Sequence, residues 1–435
     1  MLWEQRCPGR TKSLKEEQVA AGHIELELLK EPRMSQRPLL FAVMVACLSS
    51  SVPVWCQTRL HDGNRQDAVE ALNANHHEPG HNKWRNVAES MPNLRALSQN
   101  RTLMASGYLA QNAFEKAKPA AAGAPGESVE VSIKEWPVPT PGSHPHDPLA
   151  TPDGSIWYTG QMANLLGRLN PRTGEFTEYQ LKTPGSGPHG LVSDANGNIW
   201  FTANFKGYIG KLDPKTGAIS EYPMPDAKAR DPHTLVFDQK GTLWFTVQGA
   251  NMVGRLVTRT GEVKLVAVPT PHANPYGMVV NSGGVPFFTE FGSNKLASIN
   301  PNTLQIHEYV LPHAESRPRR IAITSDDVIW YSDYARGALG RFDPETNTVK
   351  EWPSPGGPES GPYGITTLND VVWYSESGKN PNTLVRFDPK TETFQTWPIP
   401  SGGGVVRNMM PTADGNLVLA CSGVNRIALV DVTRR

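Results

Sequence analysis

The sequence predicts an all-β fold, a seven-bladed β-propeller built from four-stranded antiparallel blades. Three observations lead to it. An aromatic-centred phrase recurs at nearly constant spacing: Trp157, Trp200, Trp244, Phe287, Trp330, Trp373 and Leu417 stand 43, 44, 43, 43, 43 and 44 residues apart. A period of this length with strand-type content marks propeller blades, and the count gives seven. Each repeat also carries the same order of strands and turns. Finally, the last repeat stops one strand short, and a matching strand precedes the first.

The second repeat shows the pattern. PHGLVSDA (188–195) reads as a strand, closed by the turn pair Asn196-Gly197, with NIWFTAN (198–204) as its hairpin partner. YIGKLDP (208–214) is a third strand, DPKTG (213–217) a turn, and AISEYPMP (218–225) a fourth strand. The same turn recurs as NPRTG at 170–174, DPETN at 343–347 and DPKTE at 388–392. Gly167, Gly254 and Gly340 recur in the third strand and read as backbone requirements. The last repeat ends near Val432 after three strands, and SIKEWPVP (132–139) has the form of its missing fourth. That segment is expected to complete the seventh blade and close the ring, which removes exposed sheet edges.

Composition narrows the function classes. The chain has 435 residues and formal net charge +0, so no nucleic acid or anionic membrane is expected as partner. Residues 1–56 read as a leader. Within it, 34–56 has a basic Arg37, an apolar run Leu39–Leu48 and then small polar residues, the form of a secretory signal with Met34 as start. The run is too short to span a bilayer, so a secreted or periplasmic protein without a transmembrane helix is expected. Residues 57–130 read as a polar, partly disordered segment that includes His76, His77 and His81 and a Pro/Ala/Gly linker at 117–127. Residues 131–435 are the propeller. Cys7 and Cys47 would leave with the leader, so Cys421 has at most Cys56 to pair with, and no disulfide framework is implied. A monomer is expected.

Chemistry is sought where the repeat varies. At the start of each first strand, the residue after Pro (Val in the last blade) is His146, His189, His233, Tyr276, Arg319, Tyr363 or Arg407. First strands line a propeller's channel, so these seven should ring one channel mouth. The residue three past each aromatic should lie at the same end: Gly160, Ala203, Val247, Glu290, Asp333, Glu376 and Ala420. Glu290, Asp333 and Glu376 are therefore candidate metal ligands. Histidine suits proton transfer near neutral pH and binds metals as the neutral imidazole. Arg319 and Arg407, with Tyr276, Tyr363 and His146, suit a small-molecule or cyclic-peptide ligand bearing a carbonyl or an anion. Asp231 and His233, two apart on a strand, share a face. His144-Pro145-His146-Asp147 is a similar polar knot. The same polar residues are also compatible with a wet channel without chemistry.

The phrase PHGLVSDANGNIWFTANFKGYIGKLDPKTGAISEYPMP resembles the repeat of the streptogramin lyase (virginiamycin B lyase) family, and the likeness runs over about 131–432. The resemblance implies a carbon–oxygen lyase that opens a cyclic depsipeptide at its ester by β-elimination. It implies His233 as the general base, His189 as a second histidine that positions substrate or protonates the leaving group, and Mg²⁺ as Lewis acid. Asp231 stands where the family has a glutamate, and Gln248 falls near the second metal-binding glutamate. Two other readings remain open: a non-catalytic propeller that binds a peptide, glycan or protein, and a metal-dependent lactonase or hydrolase similar to gluconolactonase-type propellers.

Overall fold

The computed structural model describes residues 129–434. The leader, the signal at 34–56, the His76-His77-His81 cluster and the linker at 117–127 lie outside the described residues. Among the described residues, no helix is long and apolar enough to cross a membrane.

Among the described residues, seven four-stranded sheets are present, and six of them are simple meanders. Blade one runs through Pro145–Ala150, Ile156–Gly160, Leu165–Asn170 and Glu175–Gln180. Blades two to six repeat this order from inner strands Pro188–Ser193, Pro232–Phe237, Pro275–Val280, Pro318–Ile323 and Pro362–Leu368. Blade seven is composite. Val406–Pro411, Leu417–Cys421 and Arg426–Arg434 are followed at the rim by Val129–Pro137, which pairs antiparallel with Arg426–Arg434, Ser132 opposite Asp431 and Trp136 opposite Ile427.

Burial falls from axis to rim. All six residues of the inner strand Pro188–Ser193 are buried, whereas the outer strand Glu175–Gln180 alternates between exposed and half-buried. The repeated Trp packs across the blade boundary: Trp200 stacks on Tyr222 at 5.4 Å and meets Phe237 of the next blade edge-on at 6.0 Å. The aromatic after it lies over the third-strand glycine. A Cβ on Gly210 would sit 2.0 Å from the Phe201 ring, and one on Gly340 2.0 Å from Tyr331. That contact is the reason for the glycine at this position.

Blade seven corrects one sequence expectation. Trp200 faces Val192 in blade two, and the residue facing Met410 at the same register is Val418, not Leu417. Leu417 faces Pro411, as Ile199 faces Ser193. Without an aromatic to anchor the phrase, spacing alone misplaces it by one residue, which exchanges the two faces of a strand. Cys421, rather than Ala420, is therefore the counterpart of Glu290 and Asp333.

Every inner strand carries one extra residue. In blade two, Pro188 pairs with Ala203 but Leu191 pairs with Phe201, so His189 and Gly190 share the space of one residue. The same bulge occurs after the equivalent position in all seven blades. A hydroxyl repairs it. Thr202 Oγ1 accepts the Gly190 N–H at 2.7 Å and donates to the His233 carbonyl of the next blade at 2.7 Å. Thr159, Thr246, Thr289, Ser332 and Ser375 make the same two-sided link. Blade seven has Ala420 there, and Ser422 instead donates to the Pro145 carbonyl of blade one. The Thr or Ser of each repeat is thus a latch between blades.

Thr246→Val keeps shape but leaves the Thr234 N–H and the Tyr276 carbonyl without this partner. The variant should lose about 2 kcal/mol of stability, the cost of orphaned buried backbone groups. Val310→Thr on the exposed rim should change stability by less than about 0.5 kcal/mol. Denaturant midpoints of the two variants check this.

Candidate functional site

The bulge turns two successive positions of each inner strand toward the axis. The first layer is the sequence-predicted ring: His146, His189, His233, Tyr276, Arg319, Tyr363 and Arg407. All seven are buried. The expected channel mouth is therefore filled by its own side chains, which are long enough to meet at the axis. The His146 and His189 rings lie 3.6 Å apart, His189 and His233 3.8 Å, and His233 and Tyr276 3.9 Å. The Tyr276 and Tyr363 hydroxyls meet at 2.5 Å. The Arg319 guanidinium lies 3.7 Å from the centre of the Tyr363 ring. The result is a stacked plug.

The second layer is Asp147, Gly190, Thr234, Gly277, Arg320, Gly364 and Asn408. Arg320 Nη2 donates to Asp147 Oδ1 at 2.8 Å across the axis, and His146 Nδ1 lies 2.8 Å from the same oxygen. Burial works against both charges, but the mutual attraction of the pair overrides it. The Asp147 carboxyl sits below its ordinary pKa and the Arg320 guanidinium above its own. Sequence reasoning did not find Arg320 or Thr234 as axial residues, because strict alternation points the residue after His233 or Arg319 away from the axis. The recurrent glycine was the available signal: a Cβ on Gly190 would lie 2.5 Å from the His233 carbonyl oxygen of the neighbouring inner strand.

Beyond the second layer, a cavity with room for several waters (≈ 90 Å³) runs along the inner strands. Asp147, Thr234, Arg320 and Asn408 form its polar end, and residues such as Ile321 and Met409 form apolar walls.

Burial is the first cause of the state of the histidines. It pushes His146 down to about 3, against the raising effect of Asp147, and holds His189 and His233 well below the ordinary imidazole value. For His189 the neighbouring imidazoles add to the effect, and for His233 the Arg320 guanidinium does. All three are neutral at physiological pH. Neither nitrogen of His189 has a hydrogen-bond partner among the described residues, nor do His146 Nε2 and His233 Nε2.

The acids do not join this layer. Glu290, Asp333 and Glu376 face Pro275, Pro318 and Pro362, hence lie at the expected end. Their side chains serve the connecting loops instead. Glu290 accepts from Ser293 Oγ at 2.8 Å, Asp333 from the Arg317 N–H and Arg336, and Glu376 from Ser354 Oγ and the Gly356 N–H. Strand alternation is the reason: these residues follow the latch hydroxyl and face between blades. Burial, with Glu308 nearby, raises the Glu290 carboxyl to about 8.

The Asp231 carboxylate serves the neighbouring loops. It accepts from Asn204 Nδ2 and from the Gly249 N–H at 2.9 Å, while His233 Nδ1 lies 3.1 Å from Thr234 Oγ1. Mg²⁺ seeks several oxygen ligands in octahedral array. Here Gln248 brings an amide where a second carboxylate is needed, which leaves Asp231 as the one carboxylate of the set. These residues do not fit that ion. A different set does converge: donor atoms of His146, Asp147 and His189 lie within 4.8 Å of one another.

Two further residues were not anticipated. Phe291 and Tyr334 follow the second strands of blades four and five. They lie 5.0 and 4.5 Å from the Arg319 guanidinium, and Tyr334 is exposed. Gln161 and Asn204 hold the same position in blades one and two and are buried. The surface over the plug is thus aromatic on one side and amide-lined on the other.

The three imidazoles tie stability to pH. Their folded pKa values lie below the unfolded value near 6.5, so their contribution is complete above pH 6.5. As pH falls further, the unfolded chain takes up protons that the folded plug refuses, which costs about 1.4 kcal/mol per pH unit per histidine. For His146 the loss continues to about pH 3. In protein freed of metal by a chelator, the fall in melting temperature between pH 7.5 and 5.5 should be smaller in His189→Gln than in the parent. Equal falls would contradict the buried neutral state.

No curated protein matches the chain by sequence. Among solved structures, a streptogramin B lyase superposes with TM-score 0.64 at 26% identity, covering 70% of this chain and 98% of that one. Virginiamycin B lyase from Staphylococcus aureus gives TM-score 0.64 at 24% identity, covering 70% and 100%. A catalytically inactive histidine-to-alanine variant of virginiamycin B lyase from the same organism, with quinupristin, gives the same values. The family model described as the virginiamycin B lyase family matches residues 126–289 and 282–435, the whole of the propeller. The chain therefore belongs to the virginiamycin B lyase family.

Proposed function

We propose that this streptogramin-lyase-like protein opens a lactone or an ester-linked cyclic peptide by β-elimination at the propeller end that carries the three histidines. One observation carries the reading: a member of this family holds neutral imidazoles with unpartnered Nε2 atoms in its axial layer. A base must offer a lone pair, and burial keeps these groups in that form.

In this reading His233 Nε2 takes the proton from a carbon next to a carbonyl. The C–O bond at the following carbon breaks, a C=C bond forms, and the ester oxygen leaves as carboxylate. The ring opens to a dehydro product with no water added. Phe291 and Tyr334 would hold an apolar face of the ligand, and Arg319 beneath them would draw its carbonyl oxygens. His189, stacked on His233, would position the base. Because His233 is fully buried, the ligand would have to part the loops over the plug.

The covered histidines favour a second reading, in which the same surface binds a peptide or glycan without turnover. Incubation with a cyclic depsipeptide lactone, followed by mass spectrometry, separates the readings. The lyase yields an opened product of unchanged mass, and His233→Ala lowers the rate by at least about a hundredfold, the usual contribution of a general base. A gain of one water would identify a hydrolase, and an untouched lactone would leave the binding reading. Export stands beside this proposal. N-terminal sequencing of protein recovered from expressing cells should find a start after the signal at 34–56, and an N-terminus ahead of Met34 would overturn it.

A further inference from the structure

We propose that His146, His189 and Asp147 form a buried axial site for one divalent transition-metal ion of the zinc class. The site is separate from the Mg²⁺ set implied by the family. It shares His189 with the proposed lyase but does not depend on that activity.

The first support is geometric. Three donor atoms, one from each residue, lie within 4.8 Å of one another. Donors on one tetrahedral ion at 2.0–2.2 Å lie roughly 3.3–3.6 Å apart. The 2.8 Å spacing of His146 Nδ1 and Asp147 Oδ1 is already close to such an edge. Rotation of the His189 ring, which no hydrogen bond fixes, brings in the third donor.

The second support is unmet bonding. His189 is completely buried with both nitrogens unpartnered, and His146 Nε2 is likewise unpartnered. Each such atom costs about 1–3 kcal/mol against its hydrated state. A metal ion bound to one His189 nitrogen satisfies that atom directly, while His146 would bind through Nδ1, the nitrogen beside Asp147.

The donor set and its surroundings select the ion. Two imidazoles and one carboxylate suit zinc, copper(II), nickel and cobalt rather than calcium or magnesium. Arg319, Arg320 and Arg407 bear on the histidines electrostatically and oppose any dication. An ion held by charge alone would therefore be rejected, and only one with strong affinity for imidazole would remain. Arg320 also donates to Asp147 at 2.8 Å, which fixes the carboxylate from outside the coordination sphere. The cavity reaches Asp147 and so can bring water to that edge of the site.

The test uses the full chain, stripped with chelator and titrated with Zn²⁺ by calorimetry and with Co²⁺ by visible absorption. The parent should bind one equivalent more than His189→Gln or His146→Gln, or bind it at least tenfold more tightly, with ligand-field bands of a low-coordinate cobalt site. An ion held by His76, His77 and His81 would survive both substitutions. Equal stoichiometry and affinity in parent and variants would overturn the proposal. Should both variants fail to fold, anomalous scattering from parent crystals grown with Zn²⁺ decides: an ion between His146 and His189 supports the site, and none there overturns it. Lactone opening is measured separately, so its failure would not be mistaken for failure of the metal site.

Discussion

The structure depends on one extra residue in each inner strand and on the hydroxyl that repairs it. A bulge leaves a backbone N–H without its ladder partner. The Thr or Ser of the second strand accepts that N–H and passes its own proton to a carbonyl of the next blade, as Thr246 does between Thr234 and Tyr276. One oxygen thus satisfies the irregularity within a blade and joins it to its neighbour. Six of the seven boundaries are closed in this way. The bulge in turn delivers two side chains per blade to the axis where a regular strand would deliver one.

Much of this was legible in the sequence, because blades are specified locally. The 43–44-residue period, the Asn-Gly and DPxTG turns and the third-strand glycines all mark short-range geometry. The phase of the ring was legible too: His146 through Arg407 do face the axis together. What sequence could not supply is how far each side chain reaches. Phase says that seven residues share a ring, not whether it is open. His, Tyr and Arg side chains at the bulge meet in the middle, and the mouth becomes a plug. The Arg320–Asp147 pair spans 173 residues of chain and follows from the bulge, which no alternating pattern announces. Glu290, Asp333 and Glu376 were placed at the correct end, but the strand face they occupy sends them to loops.

Burial has opposing consequences for the imidazoles. It keeps His189 and His233 unprotonated, the form that a base or a metal ligand requires. The same burial weakens them as proton acceptors and removes them from solvent. A ligand that parts the aromatic and amide loops above the plug would partly rehydrate His233 and return some of its basicity. In the proposed reaction, substrate access and base strength would therefore be coupled, since both would rest on the cover formed by the loops that carry Asn204, Gln248, Phe291 and Tyr334.

The separation of fold from chemistry follows from which atoms do the joining. The latch uses a hydroxyl of the second strand and backbone groups of the inner strand. It makes no use of the side chain at the ring position. His189, Tyr276 and Arg319 accordingly occupy equivalent places behind equivalent latches, although one is neutral, one phenolic and one cationic. The propeller tolerates any side chain there that can be buried with partners of its own. Arg319 meets this through stacking on Tyr363 and Tyr334, and His146 through Asp147. His189 stacks between two other imidazoles but has no hydrogen-bond partner among the described residues. In a layer where chemistry and not folding chooses the residue, an unsatisfied imidazole at the centre is the strongest sign that something else is meant to bind it.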